Sequence, residues 1–267
     1  MDMCPSRSLR SRRNFLRALG GSVCAVAGGC LGLDQLQRSA ADSRDRSVTG
    51  SDPEHTVESF AAYVERMREQ YGDYGVWGIN PKRQEMEKLS FIGAWSGGWT
   101  LREPKTPENN GQLQIPMDYA AVLYRMRGRT DEQGRPIHRV WLWASATPKQ
   151  PDEGYGGTTL VELSIGIALD GASVLSQYAP RTSIGPEDTP VRIGLAGPKA
   201  PSSLLHIPAG RVQPSPKTTT GSNGQFAIGW AGAYGTTVSV AGVCELRRTR
   251  EYEFTLTSKV SGTQGTL

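Results

Sequence analysis

From about residue 88 onward, the sequence is a series of short apolar runs, many of them rich in β-branched and aromatic residues, separated by Gly, Pro, Asn and Asp. Runs of this kind are typical of β-strands joined by turns. No helical pattern alternates with them, which disfavours a parallel sheet with crossover helices. The sequence therefore predicts a mainly β fold, an antiparallel β-sandwich or barrel.

The individual strands are predicted from the apolar runs and the turn residues between them. Residues 89 to 95 and 99 to 102 flank Ser96-Gly97-Gly98 and read as a hairpin. The other predicted strands cover residues 119–127 and 137–146 (a second hairpin), 158–169 paired with 172–178, 190–195, 203–207, 225–230, and 236–246 with 252–260 as a closing hairpin. Residues 180 to 216 read as a long loop or a domain junction, and 117 to 126 also fit a helical turn.

One amphipathic helix is predicted before the strands, over residues 53 to 70. Ser51 or Asp52 is the expected cap, because Ser51 and Glu54 have capping-box spacing and Pro53 suits a first turn. An apolar stripe at helical spacing is expected to pack on the sheet, or else to bind a partner; it comprises Val57, Phe60, Ala61, Val64 and Met67.

The N-terminus carries the pattern of an export signal. Five arginines and one aspartate occur in the first thirty residues, and a short Gly-rich apolar run over 18 to 29 follows the arginines. A membrane-spanning helix needs about 20 apolar residues, so this run is too short for a stable span.

Ser11, Arg12, Arg13, Phe15 and Leu16 closely resemble the motif of twin-arginine (Tat) export signals, and Ala27-Gly28-Gly29-Cys30 resembles a lipoprotein box. The resemblance to Tat-exported prokaryotic lipoproteins covers residues 1 to 33. It implies that the chain crosses the membrane folded and that Cys30 becomes a lipid-modified N-terminus on the outer face of the cytoplasmic membrane. The alternative is cleavage after Ala27, at an A-x-A site, which releases a soluble protein.

Three segments are predicted on this basis. Residues 1 to 30 form the signal, 31 to 51 a flexible tether, and 52 to 267 the helix and the β domain outside the cytoplasm. The tether is predicted because residues 34 to 51 are polar and lack apolar periodicity.

Charge and cysteine content limit the function classes. Without the first thirty residues, the chain holds twenty-five basic and twenty-five acidic side chains. It therefore lacks the basic excess of a nucleic-acid-binding protein, and no nucleic-acid partner is predicted. Cys244 is the last remaining thiol if Cys30 carries lipid, and its strand-like surroundings predict a buried, unreactive side chain.

The sequence carries weak signals for catalysis or metal binding. Ser96 lies in a near match to the G-x-S-x-G nucleophile motif, with His138 and His206 as candidate bases. The motif needs a helix after the serine, and Trp99 to Pro104 do not fit one, so a hairpin turn is favoured and no catalytic residue is predicted. His55, His138 and His206 lie in different kinds of element, so neither a metal nor another cofactor is predicted.

Tryptophan is frequent, with six residues in the chain. Most are expected in the core. Trp95 and Trp99 flank the predicted turn and are the expected exposed pair, able to stack on sugar rings. The whole sequence thus predicts a lipid-anchored, non-catalytic binding or scaffolding protein with a surface protein or glycan as partner. The alternatives are a secreted carbohydrate-binding module and a hydrolase.

Overall fold

The fold is seen in a computed structural model that describes residues 38–73, 76, 79–82, 88–103, 113–151, 156–170, 173–195, 202–247 and 252–265. One helix and thirteen strands are found in this part of the chain. They are β1 (Arg38–Thr49), α1 (Val57–Tyr71), β2 (Leu89–Arg102), β3 (Gln114–Thr130), β4 (Pro136–Ala146), β5 (Thr158–Leu169), β6 (Val174–Ala179), β7 (Val191–Gly194), β8 (Ser202–Leu205), β9 (Arg211–Pro214), β10 (Gly221–Ser222), β11 (Gln225–Tyr234), β12 (Val238–Arg247) and β13 (Glu253–Gln264).

The strands form two main antiparallel sheets. The five-stranded sheet has the order β1-β13-β5-β11-β9, and the six-stranded sheet has the order β10-β6-β12-β4-β3-β2. β7 and β8 form a separate two-stranded ribbon. Buried side chains from both main sheets make one core between them, including Ile165 and Trp230 from one sheet and Leu142 from the other. The predicted mainly β, antiparallel sandwich is confirmed.

A second core lies on the outer face of the six-stranded sheet, under α1. Side chains alternate between the two faces of a strand, and β4 uses both of its faces. Val140 and Leu142 point into the core between the sheets, whereas Trp141 and Trp143 pack under the helix. The helix contributes Phe60, Tyr63, Val64, Met67 and Tyr71 to this second core. The prediction that the apolar stripe of α1 packs on the sheet is confirmed for Phe60, Val64 and Met67, whereas Val57 is only half-buried.

α1 begins four residues later than predicted. Thr56 is the cap, and its side chain accepts the backbone N–H of Ser59 while the Ser59 side chain accepts that of Thr56. This reciprocal pair satisfies two backbone donors of the first turn. The prediction that Ser51 or Asp52 caps the helix is therefore wrong.

Within the described residues, no helix has the length and apolar character needed to cross a bilayer.

The predicted flexible tether is wrong for Arg38–Thr49, because these residues form β1. Each of its twelve residues is paired with β13, from Arg38 opposite Gln264 to Thr49 opposite Glu253. β1 is an edge strand with largely exposed side chains, and Val48 is its one buried residue. Backbone pairing of this kind requires no apolar alternation in the sequence.

Several predicted strand pairings are also corrected. Residues 89 to 102 form the continuous strand β2, not a hairpin. β6 does not pair with β5 but with β12 and β10 in the six-stranded sheet. β12 and β13 lie in different sheets, so they do not form a closing hairpin. The β3–β4 hairpin is confirmed, and β3 is a strand where a helical turn was the alternative.

Candidate functional site

The clearest cluster of chemically active side chains lies where the chain between β1 and α1 crosses the edge of β2. β2 is the last strand of its sheet, so one side of its backbone faces away from β3. The backbone N–H groups of Glu54 and His55 both donate to the carbonyl oxygen of Ala94, at 3.1 and 3.3 Å. Residues 52 to 55, called the edge strap below, therefore bind alongside β2 next to Ser96.

Ser96 and His55 form a direct side-chain hydrogen bond in this cluster. The distance between Ser96 Oγ and His55 Nε2 is 2.8 Å, and His55 Nδ1 lies 3.4 Å from Ser59 Oγ. The imidazole packs near the rings of Phe60 and Tyr63, with centroid distances of 5.7 and 5.6 Å. Its position is thus fixed by both polar and aromatic contacts.

The pKa of His55 is lowered from its ordinary value. Partial burial is the main cause, the Glu54 carboxylate opposes it, and the positive charge of Arg66 adds to it. A lowered pKa keeps the imidazole neutral near pH 7, so one ring nitrogen accepts a proton or a hydrogen bond. His55 is therefore suited to accept the hydrogen of the Ser96 hydroxyl.

An ion pair between Arg46 and Glu54 completes the cluster. Arg46 also donates to the carbonyl oxygen of Ser96 at 3.0 Å, and Glu54 Oε2 accepts the backbone N–H of Ser96 at 3.0 Å. Burial alone would raise the pKa of Glu54, but the hydrogen bonds from Arg46 and Ser96 outweigh it and lower that pKa. The outward backbone groups of Ser96 are thus both bonded to charged side chains.

This arrangement has two chemical consequences. The edge strap and Arg46 occupy backbone groups of β2 that are otherwise open to pairing with another strand. The Ser96–His55 bond has the geometry of a serine nucleophile with a neighbouring base. However, the Ser96 N–H, a natural donor to a developing oxyanion, is bonded to a carboxylate, and β2 continues past Ser96 as a strand.

The histidine next to Ser96 is not one that the sequence suggested. His138 faces the core between the sheets, where its Nδ1 contacts the Tyr252 hydroxyl, and His206 follows β8. Neither candidate base considered in the sequence analysis is the histidine that contacts Ser96. His55 is 41 positions from Ser96, and only the edge strap brings the two together, so no local motif in the sequence indicates the pair.

Trp95 and Trp99 are buried, with 1% and 8% of their surface exposed. The Trp95 indole N–H donates to the Asp52 carbonyl oxygen at 3.2 Å, and that of Trp99 donates to Ser258 Oγ at 2.9 Å. The prediction of an exposed stacking pair is wrong because β2 continues through residues 96 to 98, so both rings point into the core. These two residues cannot form a sugar-stacking platform.

Other predicted site features have separate outcomes. Cys244 is fully buried and unbridged, as predicted, and burial raises the pKa of its thiol. Among the described residues, no group of three or more His, Cys, Asp or Glu side chains is arranged to hold a metal ion. The targeting residues Ser11, Arg12, Arg13, Phe15 and Leu16, and the lipidation candidate Cys30, lie outside the described residues.

Comparison with known proteins adds no family assignment. Neither a protein-family model nor a curated protein matches this chain.

Proposed function

We propose that this chain is an exported protein anchored by lipid on Cys30, with a β-sandwich that binds or scaffolds a partner on the outer face of the cytoplasmic membrane. The observation that carries the proposal is the order of three sequence features: the paired Arg12 and Arg13, the short apolar run, and Cys30 at its end. Their resemblance to Tat-exported lipoproteins concerns export across the membrane and lipid anchoring. The partner is a surface protein or a glycan.

The position of the fold in the chain is consistent with this processing. β1 begins at Arg38, eight residues after Cys30. Removal of residues 1 to 29 therefore takes away no described strand or helix. A lipid on Cys30 would then be attached just before the first strand of the sandwich.

The polar cluster at the β2 edge disfavours catalysis at Ser96. Glu54 accepts the Ser96 N–H, and Arg46 is paired with Glu54, so the charged groups nearest Ser96 already bind one another and the backbone. A carboxylate beside the reacting serine opposes the negative charge that develops in acyl transfer. The cluster serves to secure the exposed edge of β2.

Intact mass spectrometry of the protein from its native host tests the anchor. We expect a mature chain that begins at a lipid-modified Cys30, and we expect the modification to be lost in Cys30→Ser. Cys24→Ser is the matched control, because Cys24 lies in the removed segment and its loss should leave the lipid in place. An unmodified chain that begins at Gly28 would refute lipid anchoring and indicate a free secreted protein.

A serine hydrolase is the second candidate function, favoured by the 2.8 Å distance between Ser96 Oγ and His55 Nε2. In this reaction the Ser96 oxygen attacks an ester carbonyl carbon, and His55 takes the hydroxyl proton. His55 then returns the proton to the leaving alcohol, and water releases the acyl group from Ser96. The neutral state of His55 at pH 7 meets the requirement for the base.

Labelling with a fluorophosphonate probe and hydrolysis of p-nitrophenyl acetate test this second candidate. A hydrolase requires a covalent label on Ser96 that is lost in Ser96→Ala and strongly reduced in His55→Gln. Ser90→Ala is the control, because Ser90 lies in the same strand and is bonded to Arg127 instead of a histidine. An unlabelled Ser96 in the folded wild-type protein excludes the hydrolase and leaves the binding role.

A further inference from the structure

The short distance in sequence between Cys30 and β1 limits how far the sandwich can lie from a lipid on that cysteine. Eight peptide steps join Cys30 to Arg38, and a chain of that length spans at most about 28 Å. Arg38 itself is paired with Gln264, so the spacer ends there. Of the predicted tether over 31 to 51, residues 31 to 37 lie outside the described residues, and β1 begins directly after them.

The sandwich is longer than this spacer. β13 has twelve residues, and at about 3.4 Å per residue it spans about 40 Å. β1 is paired with β13 along that whole length, with Arg38 at one end and Thr49 at the other. A lipid on Cys30 therefore keeps Arg38 within about 28 Å of the bilayer surface, whereas the end at Thr49 can lie farther away.

Both sheets contribute to the end of the sandwich at Arg38, called the Arg38 end below. The Gln150 amide donates to the carbonyl oxygens of Thr158 and Gly235, at 3.0 and 2.7 Å. Thr158 is paired with Gln264, which lies opposite Arg38 in the five-stranded sheet. Gly235 leads into β12 of the six-stranded sheet. Gln150 therefore links the two sheets by hydrogen bonds at this end.

We propose that the Arg38 end faces the lipid headgroups and that the opposite end, with the turn between β3 and β4, points away from the membrane. This inference rests on the proposed lipid at Cys30. A sideways arrangement with β1 on the bilayer gains little electrostatic attraction, because β1 carries Asp42 and Asp45 beside Arg38, Arg44 and Arg46.

The lipid, and not the protein surface, supplies the membrane affinity. Three basic residues, Arg38, Arg102 and Lys149, lie at the Arg38 end beside the acidic Glu103. So few charges give only weak net attraction to anionic lipid. We therefore expect the Cys30→Ser protein to remain unbound in the presence of vesicles.

Energy transfer from protein to membrane tests this orientation. Thr236→Cys places a thiol at the Arg38 end, between β11 and β12, and Glu132→Cys places one in the turn between β3 and β4. Each receives a donor fluorophore, because Cys244 is fully buried and does not compete for label. The lipidated proteins are inserted into phosphatidylethanolamine and phosphatidylglycerol vesicles that carry a headgroup acceptor dye. We expect much stronger transfer from position 236 than from position 132.

A flexible Gly/Ser insertion of about twenty residues between residues 35 and 36 is the matched control, because a longer spacer removes the constraint. We expect the difference between the two positions to shrink in that variant. Equal transfer from both positions in the lipidated proteins without the insertion, or stronger transfer from position 132, overturns the orientation and leaves the anchor intact. An unmodified Cys30 in the mass spectrum of the same sample overturns both the lipid anchor and the orientation.

Discussion

His138 is a buried histidine in contact with the Tyr252 hydroxyl, and it makes the stability of the sandwich depend on pH. It is 6% exposed, and burial lowers its pKa from 6.5 to about 4. Pro136 O opposes this shift and Arg125 reinforces it. The folded state thus favours the neutral ring, whose Nδ1 contacts both the Tyr252 hydroxyl and the Pro136 carbonyl oxygen.

Because the folded pKa lies below the unfolded value, the contribution of His138 is complete above pH 6.5 and is lost as the pH falls towards 4. We expect the lowered pKa of His138 alone to reduce the unfolding free energy by about 2 kcal/mol when the pH falls from 7.5 to 5. Urea titrations at the two pH values should show a smaller loss in His138→Gln than in wild type. His55→Gln, which removes a less buried histidine, should have the smaller effect; equal pH dependence in wild type and His138→Gln would contradict the assignment.

Gly97 is required by the packing of Tyr119, its partner across the β2–β3 pair. A Cβ atom at position 97 would lie 2.6 Å from the Tyr119 hydroxyl oxygen and 2.7 Å from its Cζ. We expect Gly97→Ala to lower the unfolding free energy by about 1 to 3 kcal/mol, because the buried ring must move. Gly185→Ala is the control, since nothing lies within 4 Å of its Cβ. Equal stability of the two variants in urea titrations would refute the packing role.

The glycines at 97 and 98 also explain why the sequence was misinterpreted there. Adjacent glycines usually indicate a turn, but here they leave room for Tyr119 and Asp118 on the neighbouring strand. The error extended to Trp95 and Trp99, which were expected beside a turn and lie instead on a core-facing strand. A single sequence does not distinguish a glycine that permits a turn from one that permits close approach.

At the scale of elements, the N-cap of α1 differs between sequence and structure: the sequence predicts Ser51 or Asp52, and the structure has Thr56. Thr56 accepts the N–H of Ser59 at 3.3 Å, while Ser51 lies before the helix. Loss of a helix cap costs about 1 kcal/mol, so Thr56→Ala should lower the unfolding free energy by that amount. Ser51→Ala should change it by less than about 0.5 kcal/mol. The reverse order in urea titrations would restore Ser51 as the cap.

β1 is a part of the fold that its composition does not reveal. A chain that begins at residue 50 lacks the whole partner strand of β13 and exposes that strand's edge. We expect this chain to aggregate or to unfold at a clearly lower temperature than a chain that begins at residue 38. Light scattering and thermal unfolding of the two chains measure this difference. Equal solubility and stability would mean that residues 38 to 49 are a dispensable spacer.

The elements that sequence predicted well have strong local patterns. β5 was predicted with its observed bounds, Thr158–Leu169, from a β-prone run ended by Asp170 and Gly171, and the β3–β4 hairpin from two runs around a polar loop. Sheet membership was not predictable in the same way. β12 and β13 are adjacent in the chain, yet their connection crosses from one sheet to the other, which depends on tertiary packing and leaves no local pattern. The Ser96–His55 contact was missed for the same reason.

At the scale of the whole molecule, the six-stranded sheet is shared by two cores. In β12, Cys244 points into the core between the sheets, while the adjacent Val243 packs under α1. Similar alternation occurs in β4, where Leu142 lies between Trp141 and Trp143. Loss of packing on one face of a strand therefore weakens the support for the other face, and the two cores should unfold together.

The thiol of Cys244 tests this coupling, because it is fully buried and becomes reactive only when the core between the sheets opens. In a urea titration of the mature Cys30→Ser chain, thiol labelling and tryptophan fluorescence should have the same midpoint. Phe60→Ala, on the helix side, should destabilise the protein by about 3 to 5 kcal/mol and lower both midpoints equally. Glu69→Ala, on the exposed face of α1, should leave both nearly unchanged. If Phe60→Ala lowers the fluorescence midpoint while Cys244 stays protected, the helix-side core unfolds separately and the sheet does not couple the two.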